Sequence, residues 1–162
     1  MSDRLFDLRH DILLREWEMC DGNVGRLDGV LFVMRGWAVT VAAAMIAYAY
    51  TEGQAEIARY LVLPVGLLWV LDGLFKRFQR IFIDRNREIH RYLSSAQFGQ
   101  DVERGEMSFT TPLMALRFRG GTWTERVADH ARCMFLRNVS LTYLPLILAG
   151  LAAEWIIPAV TA

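Results

Sequence analysis

Three apolar blocks, separated by strongly charged stretches, constrain this chain more than any other feature of its sequence. The first two, Val30–Tyr50 and Ile57–Phe75, are separated by only residues 51–56, and the third is Val139–Ala153. A connection this short requires the first two blocks to run antiparallel. A helix needs about 20 mainly apolar residues to cross a bilayer core of about 30 Å. The sequence therefore predicts a transmembrane helical hairpin and a third transmembrane helix.

Charged residues within or next to these blocks leave each with a charge-free stretch shorter than a typical transmembrane helix. The charge-free part of the first block, Gly36–Tyr50, has 15 residues, which as a helix is about 22 Å long. A soluble helical bundle is therefore the alternative, although three such blocks in one chain favour a membrane protein. Short helices with internal charges are tolerated when copies pack together or line a water-filled space, so we expect a homo-oligomer.

The predicted fold class is an all-α membrane protein. An amphipathic N-terminal helix precedes the hairpin, and a long cytoplasmic helical extension follows it before the last transmembrane helix. The predicted segments are residues 1–28 for the cytoplasmic N-terminal helix, 29–76 for the hairpin, 77–135 for the cytoplasmic helical region and 136–162 for the third transmembrane helix.

Glycine and proline residues predict where these helices weaken. Gly22 and Gly25 are expected bend points in the N-terminal helix. Pro64 and Gly66 are expected to bend the second block, and Pro145 to interrupt the third.

Capping patterns predict two further helices. Ser94 resembles the start of a capping box for a short helix that ends near Gly105, and residues 108–121 then appear irregular or extended. Thr122 with Glu125 forms a second capping box and opens the helix that leads into the third block.

Several charges fall on otherwise apolar faces. An antiparallel hairpin places Arg35 and Asp72 at similar depth, so we expect them to pair within a subunit or between subunits, because an unpaired charge there is costly. The alternative places both at the headgroup level without a partner.

Arg85 projects into the apolar arc of the helix after the second block, where a buried salt bridge, a pore-side position and snorkelling are all open. Arg9 and Glu16 intrude on the apolar half of the N-terminal helix, as expected if that half packs on a protein partner.

The distribution of basic residues predicts the orientation. Of 18 Lys and Arg residues, only Arg59 lies in the connecting stretch TEGQAEIAR, whose end overlaps the start of the second block, and none follows the third block. By the positive-inside rule the N terminus and the long middle segment are cytoplasmic and the C terminus is periplasmic, in a bacterial inner membrane. Trp37, Tyr48 and Trp155 are placed where interfacial aromatic residues belong.

Signals for catalysis, metals and nucleic acid are weak. Arg85 and His90 fit the R-x4-H pattern of HEPN-type helical nucleases, but residues five apart on a helix point about 140° apart unless two subunits combine their faces. His130 is expected to be a solvated histidine, and Cys20 and Cys133 are too few for a disulfide framework or a metal site. We expect no enzyme, no cofactor and no metal. The formal net charge of +0 gives no reason to expect direct nucleic-acid binding.

Two stretches carry a family resemblance. They are LLREWEMCDGNVGRLDGVLFVMRGWAVTVAAAMIAYAY and LLWVLDGLFKRFQRIFIDRNREIHRYL, with RGW at the first span and W-x-x-D-x-x-x-K-R-F-Q-R leaving the second. Over residues 10–93 the chain resembles small bacterial membrane proteins of the SLATT kind, and it is similar to small membrane accessories found beside CRISPR RNA-targeting and other antiphage systems. The third span is a departure from their two-span pattern.

The resemblance implies an oligomeric inner-membrane effector that forms a pore or depolarises the membrane in antiphage defence. It also implies a cytosolic sensor or nuclease as a partner, in addition to the lipid bilayer and further copies of the chain. A non-conducting anchor or scaffold for a cytosolic defence complex is the alternative function. A membrane-bound ribonuclease that uses Arg85 and His90 is the second alternative.

Overall fold

The computed structural model describes residues 2–111 and 122–161, and every regular element in these ranges is a helix. This confirms the all-α class. The helices are α1 (Ser2–Glu52), α2 (Ala55–Tyr60), α3 (Val62–Leu93), α4 (Ala96–Arg104), α5 (Trp123–Met134) and α6 (Arg137–Thr161).

The chain divides into two compact units. The polar unit comprises Met1–Leu27 and Phe78–Phe118, and the apolar unit comprises Asp28–Arg77 and Arg119–Ala162. Both α1 and α3 contribute residues to each unit, because the boundaries fall inside these helices. The predicted cytoplasmic segment 77–135 is divided by this partition, since α5 belongs to the apolar unit.

In the polar unit, α1 passes through Gly22 and Gly25 as an unbroken helix, although these glycines were expected to weaken it. An interior glycine costs a helix about 1 kcal/mol relative to alanine. Tertiary contacts in the adjacent turns offset that cost. Cys20 is 3% exposed, and the carbonyl of Val24 accepts a hydrogen bond from the Gln79 side chain at 3.1 Å.

The remaining helices of the polar unit pack on a small aromatic and aliphatic core. Its buried members are Leu13, Ile89, Tyr92 and Met107. The N-cap of α4 is Ser95, whose hydroxyl accepts from the backbone N–H of Phe98 at 3.3 Å. The prediction of Ser94 is therefore wrong by one residue, because the Ser94 N–H still bonds to His90 as part of the last turn of α3.

The end of α4 agrees with the sequence. Gly105 follows the helix with φ of 64°, in the left-handed region that favours glycine at this position. Residues 108–111 form no regular element, and residues 112–121 of the predicted irregular stretch lie outside the described residues.

In the apolar unit, the return between the first two blocks is as short as predicted. Gly53, at φ of 63°, follows α1, and the N–H of Gln54 bonds to the carbonyl of Ala49 at 3.0 Å. This left-handed glycine reverses the chain, and α2 begins immediately afterwards at Ala55.

The second block is interrupted before its proline. Pro64 has no N–H, so the carbonyl of Tyr60 lacks its usual helical donor. The helix breaks at Leu61, between α2 and α3, and α3 then continues through Gly66. A bond of 3.2 Å from the N–H of Val65 to the carbonyl of Leu61 bridges the break.

The third block lies in one helix that its proline does not interrupt. The capping box of Thr122 and Glu125 is present and opens α5. The next helix, α6, starts at Arg137 and continues through Pro145, which lies on its exposed surface.

Small residues bring α1, the α2–α3 pair and α6 together. The main buried cluster consists of Ala38, Ala42, Leu61, Val65, Val139 and Tyr143, and a second cluster consists of Ala49, Ala58, Ala153 and Ile157. Gly150 of α6 shows how close the approach is. A Cβ atom at Gly150 would lie 2.9 Å from the carbonyl oxygen of Ala58 and 2.9 Å from a methyl group of Leu61.

The outer surface of the apolar unit carries many large apolar side chains. Phe32 is 80% exposed, Leu63 is 71% exposed and Trp155 is 82% exposed. Only 17% to 28% of the residues in the most apolar windows of the three long helices are buried. Water-exposed apolar patches of this extent are rare on soluble monomers. The three helices are long and apolar enough to cross a membrane.

Candidate functional site

An ion pair between α1 and α3 contains a fully buried carboxylate, that of Asp72, in the described part of the apolar unit. Arg35 Nε donates to Asp72 Oδ2 at 2.7 Å, and Arg35 Nη2 donates to Asp72 Oδ1 at 3.2 Å. The side chain of Asp72 is 0% exposed, and that of Arg35 is 23% exposed. The structure thus places these two residues in a two-point salt bridge within one chain.

Tyr143 of α6 completes this site. Its hydroxyl donates to Asp72 Oδ2 at 3.2 Å, and its ring stacks on that of Trp69 with centroids 6.3 Å apart. Sequence reasoning missed Tyr143. The available signal was its place as the only aromatic residue of the third block, six residues after Arg137 at the basic end of the helix.

The triad of Arg35, Asp72 and Tyr143 therefore joins three helices at one point. The guanidinium and the carboxylate neutralise each other, and the phenol satisfies a further carboxylate lone pair. In chemical terms the triad holds the bundle together and fixes its register. It presents a carboxylate that is closed to solvent.

Ion pairs also lie at both ends of the apolar unit. At the basic end, Lys76 Nζ contacts Asp28 at 3.2 Å, and Arg77 Nε contacts Asp129 at 3.2 Å. At the other end, Arg59 contacts Glu154 at 3.3 Å, with the two side chains 51% and 29% exposed. These pairs connect α1 to α3, α3 to α5 and α2 to α6.

The polar unit contains a second buried ion pair. Arg85 Nε and Nη2 donate to the two carboxylate oxygens of Glu16 at 2.7 and 3.1 Å, and the two side chains are 10% and 5% exposed. Thr111 donates to Glu16 at 2.7 Å, and the carbonyl of Thr110 accepts from Arg85 at 2.8 Å. Of the three positions left open for Arg85, the structure shows the buried salt bridge. Glu16, expected to meet a protein partner, meets Arg85 of its own chain.

The residues of the R-x4-H pattern have different surroundings. Arg85 is held by Glu16, whereas His90 is exposed and lines a groove of about 280 Å³. The other residues of this groove are Trp17, Val24, Ile83, Asn86 and Arg87. Arg85 is not among the described residues that line this groove beside His90.

The histidine of α5 and the two cysteines differ in burial. His130 was expected to be solvated; its side chain is half-buried, and its Nδ1 atom is shielded from solvent without a hydrogen-bond partner among the described residues. Cys20 and Cys133 are buried free thiols, one in each unit. Within residues 2–111 and 122–161 no group of three or more His, Cys, Asp or Glu residues is arranged to hold a metal ion.

The side chain of Asp101 in α4 accepts three hydrogen bonds from two other residues of the polar unit. Its Oδ2 atom accepts from the hydroxyl of Ser108, from the backbone N–H of Ser108 at 2.9 Å and from the hydroxyl of Tyr92 at 2.7 Å. The bonds from Ser108, followed by the bond from Tyr92, lower the pKa of Asp101 below its usual value.

This shift predicts acid sensitivity of the polar unit. A carboxyl group with a lowered folded-state pKa stabilises the fold above its unfolded pKa, and that contribution is lost as pH falls through the folded pKa. We expect stability to drop as pH falls below about 4, where an unperturbed Asp titrates. Asp101→Asn should be less stable at pH 7 and should lose much of this dependence. Hydrogen exchange of the α4 amides, compared between pH 7 and acid pH, measures this pH dependence of stability. An unchanged acid response in Asp101→Asn would show that other carboxylates cause it, and Glu103→Gln, an exposed residue, is the control.

Comparison of the chain with protein-family models, with curated proteins and with solved structures found no match.

Proposed function

We propose that this chain is the subunit of a homo-oligomeric membrane protein that permeabilises or depolarises a bacterial inner membrane as an effector of antiphage defence. In this proposal the polar unit is cytoplasmic and receives the signal of a cytosolic sensor or nuclease, and the C terminus is periplasmic. The resemblance to proteins of the SLATT kind supplies the defence context, and the surface of α1 supplies the physical argument.

One face of α1 within the apolar unit consists of small residues that its own chain leaves uncovered. At about 100° per residue, this small-residue face lies opposite the buried residues Ala38 and Ala42. It consists of Gly29, Gly36, Thr40, Ala43 and Ala47, all exposed. A Cβ atom added at Gly29 or Gly36 would meet nothing within 4 Å.

Such a face suits the packing of one membrane helix on another. Lipid tails give no hydrophobic drive for association between helices, so small residues that allow the backbones to approach closely are enriched at these interfaces. Thr40 bonds to the carbonyl of Gly36 at 3.0 Å, so its hydroxyl is satisfied within the helix. Phe32 and Trp37, 80% and 66% exposed, flank the face, and Val33, 56% exposed, lies between Gly29 and Gly36 on it. The exposed small residues from Gly36 to Ala47 are the observation that carries the oligomer proposal.

The anchor function is the second candidate, and the triad favours it. A conducting path through the bilayer needs polar groups that face water. The charges of Arg35 and Asp72 are satisfied within one chain, so they contribute no ionised lining to a pore. A ribonuclease built on Arg85 and His90 has less support, because Glu16 holds the arginine.

Gly36→Leu tests the oligomer. The added side chain covers the small-residue face without touching the chain's own core, so the subunit should still fold. We expect association at least about tenfold weaker, which corresponds to about 1.4 kcal/mol. Mass measurement of the protein in detergent and cross-linking in membranes report the subunit number. Val39→Leu, on the flank of the same helix, is the matched control. An unchanged subunit number in Gly36→Leu contradicts this interface.

Membrane potential separates the two functions. If the assembly depolarises the membrane, induced expression of the native chain should collapse the potential, and Gly36→Leu should restore it in proportion to lost oligomer. An intact potential with an intact oligomer would support the anchor.

A further inference from the structure

The helix α5 is attached to the basic end of the apolar unit at a defined depth. Its last residue, Met134, packs against Gly73, where an added Cβ atom would overlap the Met134 side chain and lie 3.3 Å from Met134 Cα. The indole of Trp69 donates to the carbonyl of Met134 at 2.9 Å. Both Trp69 and Gly73 lie in the last turns of the second apolar block.

The middle of α5 is attached one turn further along α3. Asp129 accepts from Arg77 at 3.2 Å, and Arg77 with Lys76 forms the first pair of basic residues after the second block. Residues of this kind mark the boundary between the hydrocarbon core and the headgroups. The headgroup layers add about 5–8 Å on each side of the core. The segment Asp129–Met134 of α5, held between Gly73 and Arg77, therefore lies at the depth of this layer.

One exposed arc of α5 is apolar. Trp123, Val127 and the C-cap residue Phe135 are 78%, 49% and 65% exposed and lie within about 120° of the helix circumference. The exposed residues Glu125 and Arg126 lie on the other side of the helix. The ring of Phe135 meets that of Trp69 edge to face, with centroids 5.3 Å apart. The arc is thus continuous with the apolar outer surface of the bundle.

Basic side chains accompany this face. Arg132 in the last turn of α5 and Arg137 at the start of α6 are both exposed. Aromatic residues with nearby arginines are typical of helices that lie in a membrane interface and contact anionic lipids.

We propose that α5 is an interfacial helix that inserts Trp123, Val127 and Phe135 at the boundary between acyl chains and headgroups and binds anionic phospholipid headgroups through Arg132 and Arg137. This inference depends on the membrane placement of the apolar unit and is independent of the proposed effector function. Lipid is the chosen occupant because the face continues the surface that already faces the bilayer.

Nitroxide labels on the full-length chain in vesicles test the insertion. The native thiols are buried, so the label reacts at an introduced cysteine. Val127→Cys should be several-fold more accessible to oxygen, which concentrates in lipid, than to a water-soluble nickel chelate. Arg126→Cys, an exposed position about 100° from Val127 and about 180° from Phe135 around the helix, should show a lower ratio. Phe135→Cys provides a second site on the apolar arc if the first variant folds poorly.

Two results would overturn the insertion. A higher chelate accessibility at residue 127 would place the face in water. Exclusion of both reagents, with dipolar broadening between labels, would place a second copy there.

The lipid preference has its own test. The native chain should retain phosphatidylglycerol several-fold more than phosphatidylcholine in mixed vesicles, and R132Q/R137Q should lose that preference while keeping the label depth. An unchanged preference in this double variant would refute the headgroup contact.

Discussion

Replacing Arg35 with methionine is expected to destabilise the apolar unit by about 3–5 kcal/mol, the usual cost of removing one partner of a buried ion pair. Asp72 is 0% exposed and, among the described residues, would keep the hydroxyl of Tyr143 as its side-chain donor. A buried charge without its ionic partner costs free energy. Unfolding of the purified chain, titrated with a denaturing detergent, measures the change.

Two comparisons distinguish the buried pair from an ordinary charge. Arg59→Met removes an exposed pair with Glu154 at the other end of the unit and should cost less than about 1 kcal/mol. The double variant R35M/D72L should recover most of the stability lost in R35M, because apolar residues of similar volume often replace a buried pair without loss. Equal effects of Arg35→Met and Arg59→Met would contradict the importance of burial.

Arg85→Met is the second large effect we expect, again about 3–5 kcal/mol, and it falls on the polar unit. Glu16 is 5% exposed, and without Arg85 it would keep the hydroxyl of Thr111 as its side-chain donor. The cation over the ring of Phe109, at 4.8 Å, would be lost as well. Hydrogen exchange of α1 and α3 amides in the polar unit reports the loss.

Arg85→Met, compared with two further variants, also distinguishes a structural role of Arg85 from a role in RNA cleavage. His90→Ala removes an exposed side chain and should change stability by less than about 0.5 kcal/mol. Arg87→Met, with its partner Asp84 at 3.8 Å and its own side chain 72% exposed, is the matched arginine control. Loss of RNA cleavage in His90→Ala and Arg85→Met, with stability unchanged in both, would contradict the structural role and support the nuclease.

The hairpin could be predicted because its evidence is local. The length of the two blocks and the short connection between them set the antiparallel arrangement, and counting residues from that turn places Arg35 opposite Asp72. The capping box at Thr122 was predictable for the same reason, since it depends on residues three positions apart.

The contacts that the sequence did not reveal join distant parts of the chain. Glu16 and Arg85 are 69 positions apart, and no turn or repeat sets the register between α1 and α3 in the polar unit. Tyr143 is separated from Asp72 by 71 positions, and its partner depends on which face of α6 packs inward. The helical periodicity of α3 showed that Arg85 lies on its apolar arc. That periodicity concerns α3 alone, so it does not identify Glu16 of α1 as the partner of Arg85.

The three contacts along α6 bear on the order of biogenesis. Tyr143 meets Asp72, Gly150 meets Ala58 and Glu154 meets Arg59, so this last helix touches the hairpin near both ends and in the middle. Since α1 to α3 are synthesised before α6, the carboxylate of Asp72 lacks its bond from the phenol and the alanine surface lacks its neighbour until α6 has been made. The hairpin therefore reaches its final packing only after α6 joins it.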